Sequence, residues 1–131
     1  MRSAVVDTNI MSDLFRGELS TKNLLAEFDS IRVPVVVLGE LLFGFVLGCR
    51  EAENRRRLDQ FLSQRSVDIL PTSPYVAEYY ALLRADLLRN GTPLPVNDIW
   101  IAAAACAEKS PLITRDRHFL KINGLQLIIP E

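Results

Sequence analysis

The sequence predicts an α/β protein, with helices packed in layers around a short parallel sheet. Two patterns carry that prediction. Short apolar runs of strand length alternate with longer segments of helical period along the whole chain, and such alternation builds parallel sheets. The first run, Ser3 to Val6, stops at a carboxylate, Asp7, and open α/β sheets receive their ligands just outside the carboxyl ends of strands. A third observation sets the size. The chain has 131 residues and is 49% hydrophobic, enough for one domain whose core needs no cross-links.

The elements follow in order. Ser3-Ala4-Val5-Val6 is small or apolar and ends in β-branched valines, as a buried strand does. Thr8 to Arg16 places Ile10, Met11, Leu14 and Phe15 at helical spacing, and Gly17 ends it. Ser20 or Thr21 opens a second short helix through Phe28. Ile31-Arg32-Val33 is the second strand, limited by Pro34. The apolar run to Leu47 exceeds strand length and predicts a helix from about Val36, although no Ser, Thr, Asp or Asn caps it. Gly39, Gly44 and Gly48 form no phosphate-binding loop and read as sites of close helix packing.

Glu51 to Gln64 is amphipathic, with Leu58, Phe61 and Leu62 on one side. Val67 to Leu70 is a third strand. Ser73 opens a long helix to Asn90 with a stripe of Val76, Tyr79, Tyr80, Leu83, Leu87 and Leu88, and Gly91 stops it. Thr92-Pro93-Leu94-Pro95 is a rigid loop. A helix follows over about Asn97 to Lys109, with Asp98 in its first turn, where the helix dipole favours a negative charge. Pro111 to Thr114 and Leu125 to Ile129 are the last strands, and Asp116 again falls just past a strand end.

Formal net charge is −1, from 15 basic and 16 acidic residues, so the surface as a whole attracts neither nucleic acid nor anionic lipid. That balance does not exclude a nucleic-acid substrate. With Asp7, Glu40, Asp98 and Asp116 set aside, 16 − 4 leaves 12 acidic residues against 15 basic ones. Cys49 and Cys106 make no disulfide framework and are expected to be buried free thiols in helical surroundings. One arginine and a four-residue apolar run at the start are far short of a signal peptide, and Ile101 to Ala107 is too short to span a bilayer. The expected compartment is a reducing cytosol.

Four carboxylates stand beside strongly apolar segments: Asp7, Glu40, Asp98 and Asp116. Each has a bland reading alone. Asp7 and Asp98 fit helix N-caps, Asp116 fits a turn, and Glu40 could face solvent. Together they suggest a divalent metal site. Two carboxylates ~4 Å apart repel by ~4 kcal/mol at an effective dielectric of ~20, so a cluster of four needs a cation or must hold protons. All-oxygen donors suit Mg²⁺ or Mn²⁺, whereas zinc would bring histidine or cysteine. His118 is the one histidine, and the cysteines lack ligand spacing. Mg²⁺ is held by few carboxylates plus substrate phosphates, which points to a phosphodiester substrate.

At these positions the chain resembles the PIN-domain ribonucleases of the VapC toxin type. The matching pieces are Val6-Asp7-Thr8-Asn9, Leu38 to Gly44 around Glu40, Leu94 to Ala102 around Asp98, and Leu112 to Phe119 around Asp116. They come in the family's order and span nearly all of residues 1–131. The resemblance implies a single PIN domain and an α/β/α sandwich around a short, mostly parallel sheet. It also implies metal-dependent endonucleolytic cleavage of RNA, a cognate antitoxin as in type II toxin–antitoxin systems, and homodimers. Carried over residue by residue, Asp7, Glu40, Asp98 and Asp116 match the acidic quartet that would hold Mg²⁺ or Mn²⁺. Asn9 and Thr114 match the polar residues that orient it. Val37 departs from the family's more frequent Thr or Ser, which bears on helix geometry more than on chemistry.

Arg115 and Arg117 flank Asp116 and are candidate contacts to substrate phosphates, against the alternative of simple charge balance. Arg55-Arg56-Arg57 reads as a solvated helix face, His118 as an exposed turn residue, and Trp100 and Phe119 as core. Tyr75, Tyr79 and Tyr80 fit a dimer interface or half-buried rings with wet hydroxyls. Two other functions compete. A haloacid-dehalogenase-like phosphohydrolase also begins with a strand ending in Asp and binds Mg²⁺, but it wants a second Asp where this chain has Asn9, and a downstream lysine that is not found. A non-catalytic interaction module would use the acidic pocket to receive a partner's arginine, and the intact quartet argues against it.

Overall fold

A computed structural model describes residues 1–131. Five strands alternate with six helices: β1 (Ser3–Val6), α1 (Thr8–Phe15), α2 (Leu19–Leu25), β2 (Ser30–Pro34), α3 (Val35–Leu47), α4 (Glu51–Leu62), β3 (Val67–Leu70), α5 (Pro74–Arg89), α6 (Val96–Glu108), β4 (Leu112–Ile113) and β5 (Leu127–Ile128). A 3₁₀ helix over Arg117–Lys121 joins the last two strands. The sheet order is β3-β2-β1-β4-β5, and every pairing is parallel. The predicted α/β class and layered parallel sheet are therefore what the chain adopts.

The chain leaves β1 toward β2 on one side and returns to β4 on the other. This reversal opens a crevice at the carboxyl ends of β1 and β4, where doubly wound sheets bind their ligands. Val6 is in register with Ile113, so Asp7 and Thr114 meet at the head of that crevice.

The core lies between sheet and helices. Ala4, Val5 and Val6 are fully buried, as a central parallel strand requires, and α6 crosses the sheet with Ala102, Ala103, Ala104 and Ala105 all buried. Four consecutive small side chains let this helix lie close to its neighbours.

The ends of α5 show how the sequence sets boundaries. The Ser73 hydroxyl accepts the Val76 N–H at 3.3 Å, and Pro74 takes the first helical position. At the other end Gly91 sits at φ +68, and the N–H groups of Gly91 and Thr92 donate to Leu88 and Leu87, a glycine-terminated Schellman cap.

Several boundaries and placements differ from expectation. α2 ends at Leu25, and buried Phe28 packs from the turn beyond it. α3 starts at Val35 and α6 at Val96, each directly after a proline, whose fixed φ leads into the helix although no side chain caps it. α4 stops at Leu62, and β4 and β5 are two residues each. Leu88 is 62% exposed and lies off the buried stripe of α5. Cys49 is exposed in the bend after α3 and Cys106 is half-buried, so neither is a core thiol. A Cβ on Gly39 or Gly44 would meet nothing, so close packing within this chain does not require them.

Candidate active site

The crevice gathers the four sequence-predicted carboxylates from four elements. Asp7 follows β1, and its N–H donates to the Ile113 carbonyl at 3.0 Å, which continues the sheet by one rung. The residue is only 5% exposed. Its carboxylate accepts the Thr8 N–H at 2.7 Å, the Thr114 hydroxyl at 2.7 Å and the Asn9 side-chain amide at 3.3 Å. Asp7 still titrates above the ordinary aspartate value. Burial is the largest cause, the Thr114 and Thr8 hydrogen bonds oppose it, and the charges of Glu40 and Asp116 add to it.

Glu40 projects from α3 and its Oε1 accepts the Thr8 hydroxyl at 2.6 Å. Asp116 caps the 3₁₀ helix by accepting the His118 N–H at 2.9 Å, and His118 Nδ1 lies 2.8 Å from the same oxygen. The Asp116 N–H donates to Thr114 Oγ1 at 3.0 Å. Asp98 is the third residue of α6 rather than its cap, half-buried in the first turn. Its carboxyl is pushed up to about 6, first by burial and then by the charges of Asp7, Asp116 and Glu40, with His118 opposing. Thr8 thus links Asp7 to Glu40, Thr114 links Asp7 to the Asp116 backbone, and charge alone acts on Asp98 from the other three. Asp7 and Asp116 are helix caps that also face the pocket, so a capping role does not remove either from it.

Thr114 and Asn9 knit the pocket's floor. Thr114 is fully buried and bridges Asp7 to the Asp116 backbone. Asn9 Nδ2 donates to Asp7 and to Thr114, both at 3.3 Å, while its oxygen accepts the Arg115 N–H at 3.1 Å. Thr8 was missed from the sequence, though its place between Asp7 and Asn9 marks it as a neighbour of the site.

The two flanking arginines part company. Arg117 is exposed and pairs with no carboxylate. Arg115 turns the other way, onto Asp13, Thr21 and the Pro130 carbonyl. Thr114 bonds to Asp7 and to the Asp116 backbone, whereas the Arg115 side chain, from the bend between them, leaves the pocket. For Arg115 the pairing with Asp13 favours charge balance, the alternative to a phosphate contact. Elsewhere, Arg55 pairs with Glu51 and Arg57 donates to the Phe15 carbonyl, as on a solvated helix face. Phe119 is core, and Trp100 stacks on Tyr80 with centroids 3.8 Å apart.

The donor set fits a hard divalent cation. The four side chains offer carboxylate oxygens, which suit such an ion better than zinc. No three acidic side chains close on one point as a finished ligand cage. Mg²⁺ tolerates that openness, because it keeps several waters and needs only one or two direct carboxylates.

Fold and site together define a class. Residues 4–125 match the PIN domain, and the chain belongs to that family, within its VapC ribonuclease branch. Over 122 residues it is 30% identical to ribonuclease VapC5 of Mycobacterium tuberculosis, covering 93% of this chain and 89% of that one. Among solved structures, VapBC2 from Rickettsia felis bound to a promoter DNA fragment is 31% identical, covers 98% and 99% of the two chains, and superposes with a TM-score of 0.89. VapBC-5, a toxin–antitoxin system of Mycobacterium tuberculosis, is 29% identical and covers 100% and 99%, with a TM-score of 0.73.

Proposed function

We propose that this protein is the toxin of a type II toxin–antitoxin pair and cuts RNA as a Mg²⁺- or Mn²⁺-dependent endoribonuclease. One observation carries the reading: Asp7, Glu40, Asp98 and Asp116 come from four elements to one pocket, where the charges of Glu40 and Asp116 help raise the proton affinity of Asp7 and Asp98. Such a pocket favours a divalent cation. When bound there, the cation would activate water and neutralise charge on the phosphodiester oxygens.

The chain's own groups prepare the site. Thr8, Asn9 and Thr114 hold the Asp7 carboxylate in a fixed orientation, and Thr8 also aims Glu40. The α6 N-terminus supports the Asp98 charge. Arg117 is the exposed cation beside Asp116 and serves as a contact for a substrate phosphate. Asn9 stands where a haloacid-dehalogenase-like enzyme would need a second carboxylate, and here its amide donates to Asp7 instead.

Two surfaces fit the partners. A cleft of about 620 Å³ between α1, α2 and α4, lined by Leu14, Phe15, Leu25, Phe28 and Phe61, suits an apolar segment of an antitoxin. On α3, Phe43, Val46 and Leu47 are 65%, 59% and 72% exposed and flank Glu40, which suits a homodimer formed beside the site. No helix is long and apolar enough to cross a membrane, and the proposed workplace is the cytoplasm.

The test is incubation of a mixed RNA pool with purified, partner-free protein, in Mg²⁺ or Mn²⁺ and in chelator. Cleavage that needs the metal and vanishes in Asp98→Asn supports the nuclease. Metal-independent cleavage, or equal cleavage by the variant, rejects it. Light scattering of Phe43→Glu tests the dimer, which should fall to monomer.

A further inference from the structure

Arg115 lies between two residues of the pocket, yet its guanidinium is spent behind it. Asp13, on the inward face of α1, is 3% exposed. Its carboxylate takes Arg115 Nε on one oxygen and Arg16 Nη2, at 2.5 Å, on the other. The fully buried Thr21 of α2 donates to the Asp13 oxygen that Arg115 holds, at 3.1 Å, and accepts Arg115 Nη2 at 3.2 Å. Arg115 Nη1 reaches the Pro130 carbonyl at 3.5 Å. One planar fork therefore ties α1, α2 and the chain end to the short segment after β4.

We propose that buried Asp13 and Thr21 and part-buried Arg115 form a strut that sets the position of Asp116 and the orientation of Asn9 at the cation pocket, making Arg115 a positioning residue and not a substrate contact. This rests on the pocket being a divalent-cation site. The segment carrying Asp116 is short, and its backbone ties are few: Thr114 N–H to Ile128, Asp116 N–H to the Thr114 hydroxyl, and Arg115 N–H to Asn9. The last of these fixes the Asn9 amide. A backbone N–H can only donate, so the Asn9 oxygen must face Arg115, and its NH₂ must then face Asp7 and Thr114. An arginine is needed because its donors diverge in a rigid plane toward three acceptors, whereas an ammonium is a single point.

The test compares wild type with Arg115→Lys and Thr21→Val. Three quantities are read: Mn²⁺ affinity by direct titration without RNA, amide exchange of the metal-free protein, and the salt dependence of RNA binding. The strut requires Mn²⁺ affinity to fall about tenfold in Arg115→Lys. The Arg115 and Asp116 amides should exchange faster while the Asp7 amide keeps its protection, and the salt slope should not change. Thr21→Val should show the same pattern more weakly. Wild-type Mn²⁺ affinity and amide exchange in Arg115→Lys would overturn the proposal. So would a wild-type Mn²⁺ affinity with a salt slope reduced by about 1 in Arg115→Gln, which marks a phosphate contact. If single variants fail to fold, Asp13→Leu with Arg115→Met replaces the pair by apolar groups of similar size. That protein must show the loosened Asp116 amide, and full protection there would overturn the strut. A wild type that binds no Mn²⁺ would reject the cation site, while amide exchange would still decide the strut.

Discussion

Asp7 and Asp13 lie six residues apart at opposite ends of α1, and they are almost equally buried, at 5% and 3% exposed. Their surroundings differ in kind. Asp13 has two guanidinium groups and a threonine hydroxyl on its carboxylate. Asp7 has a backbone N–H, a hydroxyl and an amide, then the charges of Glu40, Asp116 and Asp98. The protein completes one carboxylate from within and leaves the other facing like charge. A buried charge needs a partner, and the incomplete pocket is where the proposed cation would supply one.

The largest effect that would break this contrast is catalytic. Asp98→Asn should lower RNA cleavage about a thousandfold, equivalent to ~4 kcal/mol of lost charge stabilisation, with the fold intact by circular dichroism. A variant that cleaves within tenfold of wild type would return the pocket to a structural role.

Next comes stability, and here the two sites should diverge. Asp13→Asn strands two guanidinium groups and should cost about 3 kcal/mol, at the low end because Arg16 is 62% exposed and can turn to water. The melting temperature should drop by about 10 °C. Asp98→Asn removes a repelled charge and should leave the metal-free protein at least as stable as wild type. Chemical denaturation of both variants reads this directly, and equal losses would erase the distinction.

Mg²⁺ should sharpen it further. At a hundred times its dissociation constant, the ion should stabilise wild type by about 2.7 kcal/mol and Asp98→Asn by much less. A weaker effect is expected at Arg117. Arg117→Gln should reduce the slope of RNA affinity against salt by about 1, while Arg115→Lys leaves it alone. Matching slopes for Arg117→Gln and wild type would take Arg117 off the phosphate path.

The smallest effect is the pH dependence of the metal-free protein. Asp98 titrates near 6 when folded and near 3.8 when unfolded, so the folded state binds more protons between those values. Its contribution to stability is present at low pH and is lost as pH rises through about 6. Asp7 has the same sign. The gap between wild type and Asp98→Asn should therefore widen, in favour of the variant, on going from pH 5 to pH 7. Because Asp98 is only half-buried, this shift is modest, and thermal melts across that range will show it. With saturating Mg²⁺ the sign should invert, since the cation binds the ionised form.

Much of this was legible in the sequence because it rests on short-range rules. Strand-length apolar runs ending at Asp7 and just before Asp116, glycine after α5, and a carboxylate inside the apolar α3 each announce themselves locally. What was not legible depends on direction and on distant partners. Arg115 and Arg117 look equivalent in sequence, but Arg117 opens the exposed 3₁₀ helix while Arg115, in the bend before it, turns back onto Asp13. Nothing beside Asp13 in the sequence marks it, because its partners Thr21 and Arg115 are 8 and 102 residues away. The glycines of α3 read as packing sites, yet they face outward, where a single chain supplies no neighbour.

The most direct measurement is a titration of Mn²⁺ into wild type and Asp98→Asn at pH 7, without RNA. Saturable binding by wild type, weakened at least tenfold in the variant, is the expected result. Equal affinity in both proteins, or no binding in either, would contradict the claim that these four carboxylates form a cation pocket.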